Sequence, residues 1–156
     1  MKHPRTSREK TVSARTKKAV QEFFDEQSAL FSEGKIEELA SYCSHPLPFY
    51  TDDGIILATD AEMYQDILAS YLSRIHAAGR VQFAGKVVGI GPKENGRFAV
   101  RLDWDHIEED GSLRGTSKLR YFLADRPKGG YLIEIIEYFQ FGGPPILNAP
   151  KPERLH

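Results

Sequence analysis

The chain has 156 residues, the length of one compact domain, and 21 Lys plus Arg against 22 Asp plus Glu give a net charge of −1. A single cysteine excludes an internal disulfide framework and a cysteine-rich zinc site. No stretch approaches the roughly 18 apolar residues of a membrane span, and the N-terminus lacks the apolar segment of a secretory signal. We therefore expect a soluble, cytoplasmic domain without a membrane partner, and the charge balance argues against a nucleic-acid partner.

The N-terminal end concentrates positive charge. Residues 1–18 carry seven basic side chains and one acid. Residues 1–13 have almost no large apolar side chain and cannot bury enough surface to order themselves, so we predict a flexible basic arm. The alternatives are an arm that binds nucleic acid or an acidic partner, and an organellar transit peptide.

Three apolar patterns with helical spacing follow the arm. The first covers residues 20–31 and ends at Gly34, a residue typical of a helix C-cap. The second is short and covers residues 36–43. The third begins with a capping box at residues 59–62 and ends before Gly79. A hairpin pattern, with Asp-Asp-Gly at its centre, separates the second helix from the third.

After the third helix the hydrophobic period changes from 3.6 to 2. Four strand-like runs lie near residues 80–91, 97–108, 114–125 and 131–141, separated by turn residues such as Gly, Pro, Asn and Asp. Connections this short force antiparallel neighbours, because a parallel crossover needs a dozen or more residues. Helices at one end of the chain and a meander at the other predict an α+β fold with the helices on one face of the sheet.

The C-terminal end is rich in glycine and proline. The run Gly-Gly-Pro-Pro at 142–145 ends regular structure, and Pro150 and Pro152 prevent its return. Residues 142–156 are therefore predicted to form a tail that lies across a neighbouring surface through Ile146 and Leu147.

The order of these elements resembles the NTF2-like superfamily, which includes the SnoaL-like domains, over residues 16–141. Three local features carry the same resemblance: an aromatic-rich first helix, His45-Pro46 leading into Phe49-Tyr50, and a last strand that starts with Tyr131. The resemblance implies a domain over residues 14–141, in which three helices pack on a curved antiparallel sheet. It also implies a cone with a pocket at its open end, and dimers formed through the other face of the sheet. The superfamily contains both enzymes and non-enzymes, so the fold alone does not choose between them.

Strand alternation predicts which side chains face the helices. In the run 97–108 the even positions are apolar as far as Trp104, and His106 continues that face. In the last run Glu137 is the only carboxylate on a face whose other members are apolar. Those members are Tyr131, Ile133, Ile135, Phe139 and Phe141.

The opposite face of the last run is also apolar, with Leu132, Ile136 and Tyr138. An apolar patch of this kind on a monomer usually marks an interface. We therefore predict a homodimer through the outer face of the sheet.

Glu137 and His106 are the candidate catalytic residues, because they are the polar groups that this phase directs into an apolar pocket. A carboxylate in such a pocket has a raised pKa, which suits a general base or acid at neutral pH. The alternatives are a rim glutamate paired with Arg or Lys, and a strand-end histidine in water. The predicted pocket residues are aromatic: Phe24, Tyr50, Tyr64, Tyr71, Trp104, Tyr121 and Phe139. No motif for a metal or a cofactor is present, so we expect neither.

Two functions remain open. The first is a dimeric module that binds a small hydrophobic molecule or a protein. The second is an isomerase- or lyase-type enzyme that performs acid–base chemistry on a small hydrophobic substrate, with Glu137 and His106 as base and acid. The two differ in whether two ionisable groups converge in the pocket or the pocket is aromatic throughout.

Overall fold

A computed structural model describes residues 12–146. The helices are α1 (Ala14–Glu33), α2 (Ile36–Ser41) and α3 (Ala61–Ile75), and a 3₁₀ turn follows at His76–Ala78. The strands are β1 (Leu47–Thr51), β2 (Gly54–Ala58), β3 (Val81–Ile90), β4 (Arg97–Glu108), β5 (Leu113–Asp125) and β6 (Tyr131–Gln140). Most of the predicted basic arm, and Leu147 with the rest of the tail, lie outside the described residues. None of the described helices is long and apolar enough to cross a membrane.

Side-chain and glycine caps determine where the two long helices begin and end. Ser13 caps α1 by accepting a hydrogen bond from the Thr16 backbone N–H, and Gly34 ends it in the left-handed conformation, with φ of 71°. Asp60 caps α3 by accepting a hydrogen bond from the Met63 N–H. The helix start predicted at residues 59–62 is therefore confirmed, with Asp60 as the capping residue.

The strands form one six-stranded sheet in the order β2-β1-β6-β5-β4-β3. Strands β3 to β6 are antiparallel neighbours, as the short connections predict. The β1–β2 hairpin joins the sheet through β1, which runs parallel to β6. Helices α1 and α3 bury one apolar face each in the core against the sheet. The predicted α+β architecture is confirmed.

The predicted strand phase is wrong in the second half of β6. A bulge at Glu134 shifts the register between the Leu123–Ile133 pair and the Phe122–Ile135 pair. Because side chains alternate with a period of 2, one extra residue exchanges the inner and outer sets. Ile136 is consequently buried, at 3% exposure, and Glu137 is turned to the outer face.

Glu137 is therefore not directed into the interior. Its carboxylate accepts a hydrogen bond from Arg120 Nε at 3.0 Å, the ion pair that was the alternative expectation. Phe139 is also outside, at 39% exposure, with its ring 4.5 Å from the Arg101 guanidinium and 5.1 Å from that of Arg120. Tyr50, equally exposed, lies beside Glu137 in the β1–β6 pairing. The predicted inward orientation of all three residues is wrong.

Strand β3 is an edge of the sheet, and helix α1 covers that edge with polar side chains. Ser32 Oγ and Ser28 Oγ each accept a hydrogen bond at 2.9 Å, from the backbone N–H groups of Phe83 and Gly85 respectively. Gln21 Oε1 does the same for the Val87 N–H at 3.0 Å, and His76 Nδ1 accepts from the first residue of the strand at 3.2 Å. Alternate amides of β3 are thereby satisfied without a neighbouring strand.

Candidate functional site

A small cavity lies between α1, α3 and the inner face of the sheet. Its volume is about 20 Å³, enough for about one water molecule. Its walls are mostly aromatic, with two polar side chains and one aliphatic one: Phe31, Tyr71, Phe83, Trp104, His106, Ser117, Tyr121, Tyr138 and Ile146.

Trp104 on β4 forms one wall of the cavity. Its indole lies over Gly85 of β3, where an added Cβ would come within 3.0 Å of the ring. The glycine therefore makes room for the tryptophan. The indole Nε1 donates a hydrogen bond to the Tyr121 hydroxyl at 2.8 Å, which fixes the orientation of both rings.

Three tyrosines line the cavity. Burial raises the pKa of Tyr71, Tyr121 and Tyr138 above the ordinary value. The hydrogen bond from Trp104 opposes the shift in the pKa of Tyr121, whereas the neighbouring tyrosines Tyr121 and Tyr71 add to the shift in the pKa of Tyr138. The three phenols are therefore neutral at physiological pH. In that form each can donate one hydrogen bond and accept others.

His106 is the most polar group in the wall and is only 1% exposed. Burial, helped by Arg114 and opposed by Asp105, lowers its pKa from 6.5 to about 4, so the imidazole is neutral at physiological pH. Its Nε2 lies 3.5 Å from Ser117 Oγ, and its buried Nδ1 has no hydrogen-bond partner within residues 12–146. A neutral imidazole with one free nitrogen can bind a further donor or acceptor.

The cavity is closed on one side by residues 142–146, which we call the strap. The Gly142 N–H donates to Ser117 Oγ at 2.9 Å, and Ile146, at 3% exposure, lines the cavity. Arg74 on α3 donates hydrogen bonds to the carbonyl oxygens of Pro145 at 2.6 Å and Ile146 at 2.9 Å. The predicted contact of Ile146 with a neighbouring surface is confirmed, and that surface is the cavity itself.

The residues predicted for the site divide into four groups. Tyr71, Trp104 and Tyr121 line the cavity, as does His106. Phe24 packs behind it, against the rings of Trp104 and Tyr121. Tyr64 is buried elsewhere, stacked on Phe49 near Cys43, whose thiol has its pKa raised to about 12 by burial. Tyr50, Phe139 and Glu137 lie on the outer face, as described above.

Several lining residues were not predicted. Ser117 continues the inward alternation of Leu119, Tyr121 and Leu123 by one more step, so that extension would have found it. Tyr138 was missed because the bulge in β6 reverses its direction. Phe31 and Phe83 join through packing between α1 and β3, which no local pattern reports.

The wall contains no carboxylate and no cationic side chain among the described residues. It offers neutral hydrogen-bonding groups on an aromatic surface. Such a site suits an uncharged ligand with one or two polar atoms, because an ion would lose its hydration without gaining a counter-charge.

Solved structures of other proteins share this architecture. A domain of unknown function with a cystatin-like fold from Nostoc punctiforme PCC 73102 has a TM-score of 0.62 at 13% identity, over 92% of this chain and 83% of its own. An NTF2-like protein with a cystatin-like fold from Novosphingobium aromaticivorans has a TM-score of 0.61 at 14% identity, over 78% of this chain and 79% of its own. The chain has the NTF2-like fold.

The NTF2-like fold expected from the order of elements is thereby confirmed. A third protein with this architecture, from Catenulispora acidiphila, was solved in complex with S-DNPA; its TM-score is 0.60 at 20% identity, over 81% of this chain and 95% of its own. No sequence-family model matches the chain, and no curated protein matches it in sequence. At these identities the likeness concerns the fold alone.

Proposed function

We propose that this NTF2-like domain binds a small, uncharged and largely apolar molecule in the cavity, which widens to admit it, and that the domain acts as a homodimer. One observation carries the ligand proposal. The cavity wall is mostly aromatic and includes His106, whose buried Nδ1 atom has no hydrogen-bond partner among the described residues. An unsatisfied buried polar group costs about 1–3 kcal/mol, so a ligand that bonds to it gains that amount relative to the empty site.

The tyrosines support the same proposal. Their neutral hydroxyls can orient a carbonyl, hydroxyl or phenol oxygen, while Trp104 and Phe83 offer rings for an apolar body. The Catenulispora protein of the same fold, solved in complex with S-DNPA, supports a ligand-binding role for this architecture.

The enzyme hypothesis required Glu137 and His106 together in the pocket, and Glu137 lies on the outer face. Acid–base catalysis by a pair needs two ionisable side chains near the substrate, and the Glu137 carboxylate instead bonds to Arg120 on the outer face. His106 alone, with a tyrosine as partner, would have to supply both proton transfers. The aromatic cavity with one imidazole favours binding over this second function.

The outer face of the sheet supports the homodimer. It combines one exposed and several half-buried apolar residues with arginines, a composition typical of protein interfaces. Phe122 and Ile135 pair across β5 and β6, and Phe139 lies against Arg101 and Arg120. The sequence predicted an interface that includes Ile136 and Tyr138, but both residues belong to the inner face. Phe122, Ile135 and Phe139 take their place in the proposed interface.

Trp104 is the only tryptophan in the chain, so its fluorescence reports directly on the cavity. We expect 2-naphthol, a neutral bicyclic phenol, to change that fluorescence with saturation. His106→Leu should weaken its binding by about tenfold, the effect of losing 1.4 kcal/mol. His45→Leu, which alters a histidine outside the cavity wall, is the matched control. Binding that is equally strong in the wild type and in His106→Leu would contradict the proposed site.

A further inference from the structure

We propose that the strap is a gate over the cavity and that Arg74 is its latch. In the closed state the strap excludes ligands, and its release opens the cavity to solvent. The proposal adds control of access to the binding function, and its main test requires no ligand.

The strap fits its seat on β5 too closely to be a chance contact. A Cβ added at Gly115 would overlap the carbonyl oxygen of Gly142, and one added at Gly142 would overlap the backbone of Thr116. Gly115 is not among the residues with positive φ, so close approach, rather than backbone conformation, accounts for its lack of a side chain. Both glycines are therefore part of a built docking site for the strap.

The strap also occupies space that a ligand would need. A cavity of about 20 Å³ is far smaller than the roughly 300–1,000 Å³ of a typical ligand site. Ile146 lines it from the strap side, and Gly143 lies against His106, where an added Cβ would be 3.6 Å from Nδ1. Movement of the strap would enlarge the cavity and uncover the free imidazole nitrogen at once.

Water can replace the hydrogen bonds that Arg74 makes to the strap. Arg74 donates to two strap carbonyls, those of Pro145 and Ile146, from the last turn of α3, and the bond to Pro145 is exposed. Among the described residues, the strap also makes the Gly142–Ser117 hydrogen bond, and the side chain of Ile146 is buried against the cavity. A segment held by few hydrogen bonds, one of them exposed to solvent, can open locally while the core stays folded.

Amide hydrogen exchange of the full chain, followed by NMR, tests the gate. In the wild type we expect the Gly142 amide to exchange much faster than the Tyr121 amide in the middle of β5. Arg74→Met should lower the protection of Gly142 by about a further tenfold, equivalent to 1.4 kcal/mol. It should leave the ratio between Tyr121 and the other core amides unchanged.

Arg80→Met is the matched control, because Arg80 also donates to a backbone carbonyl, that of Ser32 at 3.2 Å, but makes no hydrogen bond to the strap. It should not alter Gly142 protection relative to Tyr121. Equal protection of Gly142 and Tyr121 in the wild type would overturn the gate, since the strap would then open only with global unfolding. That measurement decides the matter even if Arg74→Met does not fold.

The association rate of 2-naphthol, read from Trp104 fluorescence, separates the gate from the ligand proposal. The rate should rise about tenfold in Arg74→Met, because binding scales with the fraction of open molecules. If exchange at Gly142 behaves as expected and neither protein binds 2-naphthol, the gate stands and that ligand class is wrong. If 2-naphthol binds at the same rate to both proteins, the strap is not the gate.

Discussion

Trp104 and Tyr121 are joined by a hydrogen bond of 2.8 Å inside the molecule, where both residues are about 95% buried, at 5% and 4% exposure. Tyr121→Phe keeps the ring and leaves the indole N–H without this acceptor. We expect the free energy of unfolding to fall by about 1–3 kcal/mol, the cost of an unsatisfied buried donor. Urea denaturation followed by circular dichroism measures it. The control is Tyr131→Phe, at a half-buried position, which should lower the free energy of unfolding by less than about 1 kcal/mol. Equal decreases in the two variants would contradict the role assigned to the Trp104–Tyr121 hydrogen bond.

Two adjacent residues test the strand phase of β6. Ile136→Ala should destabilise the fold by about 2–5 kcal/mol, because it opens a cavity in the core. Glu137→Ala removes only an ion pair on the outer face and should cost less than about 1 kcal/mol. The comparison uses the midpoint of urea unfolding for each variant. The reverse order of effects would mean that Glu137, not Ile136, faces the core.

His106 should make stability depend on pH. Its pKa is about 4 in the folded chain and about 6.5 in the unfolded chain, so the unfolded state takes up the proton first as the pH falls. The stabilising contribution is complete above about pH 6.5 and is lost as the pH falls towards 4. Between pH 6.5 and pH 4 the free energy of unfolding should fall by about 2–3 kcal/mol through His106.

His106→Gln removes this component and leaves the acid titration of the carboxylates in place. The difference in unfolding free energy between wild type and variant should therefore shrink between pH 7 and pH 4. A difference that stays constant over that range would show that His106 titrates normally in the folded protein.

Phe139 tests the outer face. In sedimentation equilibrium at tens of micromolar the wild type is expected to be a dimer. Phe139→Lys should weaken association by about tenfold or more, because a third cation joins Arg101 and Arg120 in the interface. Val88→Lys is the matched control, since Val88 is 58% exposed on the far edge strand. A wild-type monomer under these conditions would contradict the homodimer.

The parts of the fold that local chemistry specifies could be predicted from the sequence. Gly34 and the 59–62 segment mark helix ends through their own caps, and turn residues mark the strand ends. The inward direction of His106 follows from simple alternation, because the β4–β5 ladder is regular as far as that residue and the extra residue of the β3–β4 ladder, Val88, lies on β3. Local rules suffice wherever the ladder is regular.

The composition of the candidate site depends on the bulge in β6, which no pattern in the sequence predicts. Both phases of β6 place apolar residues on each face, since Ile135 and Ile136 are adjacent and equally apolar. Pairing with β5, and the bond of the bulged Glu134 to Arg97 at 2.9 Å, select the phase that is found. Tertiary contacts therefore determine the phase of β6. As a result Glu137 faces outward and Tyr138 faces inward, the reverse of the prediction.

The covered edge of the sheet limits how copies of this chain can join. Edge-to-edge growth into a fibre requires two open edges per molecule, one to extend and one to be extended. The side chains of Gln21, Ser28 and Ser32 occupy the hydrogen-bonding groups of β3, so within residues 12–146 the β2 edge alone is open to another strand. Two copies that met there would face each other symmetrically and leave no free edge behind. Any pairing of these sheets through their edges therefore stops at two molecules, and polymerisation along the sheet is blocked by three polar side chains of one helix.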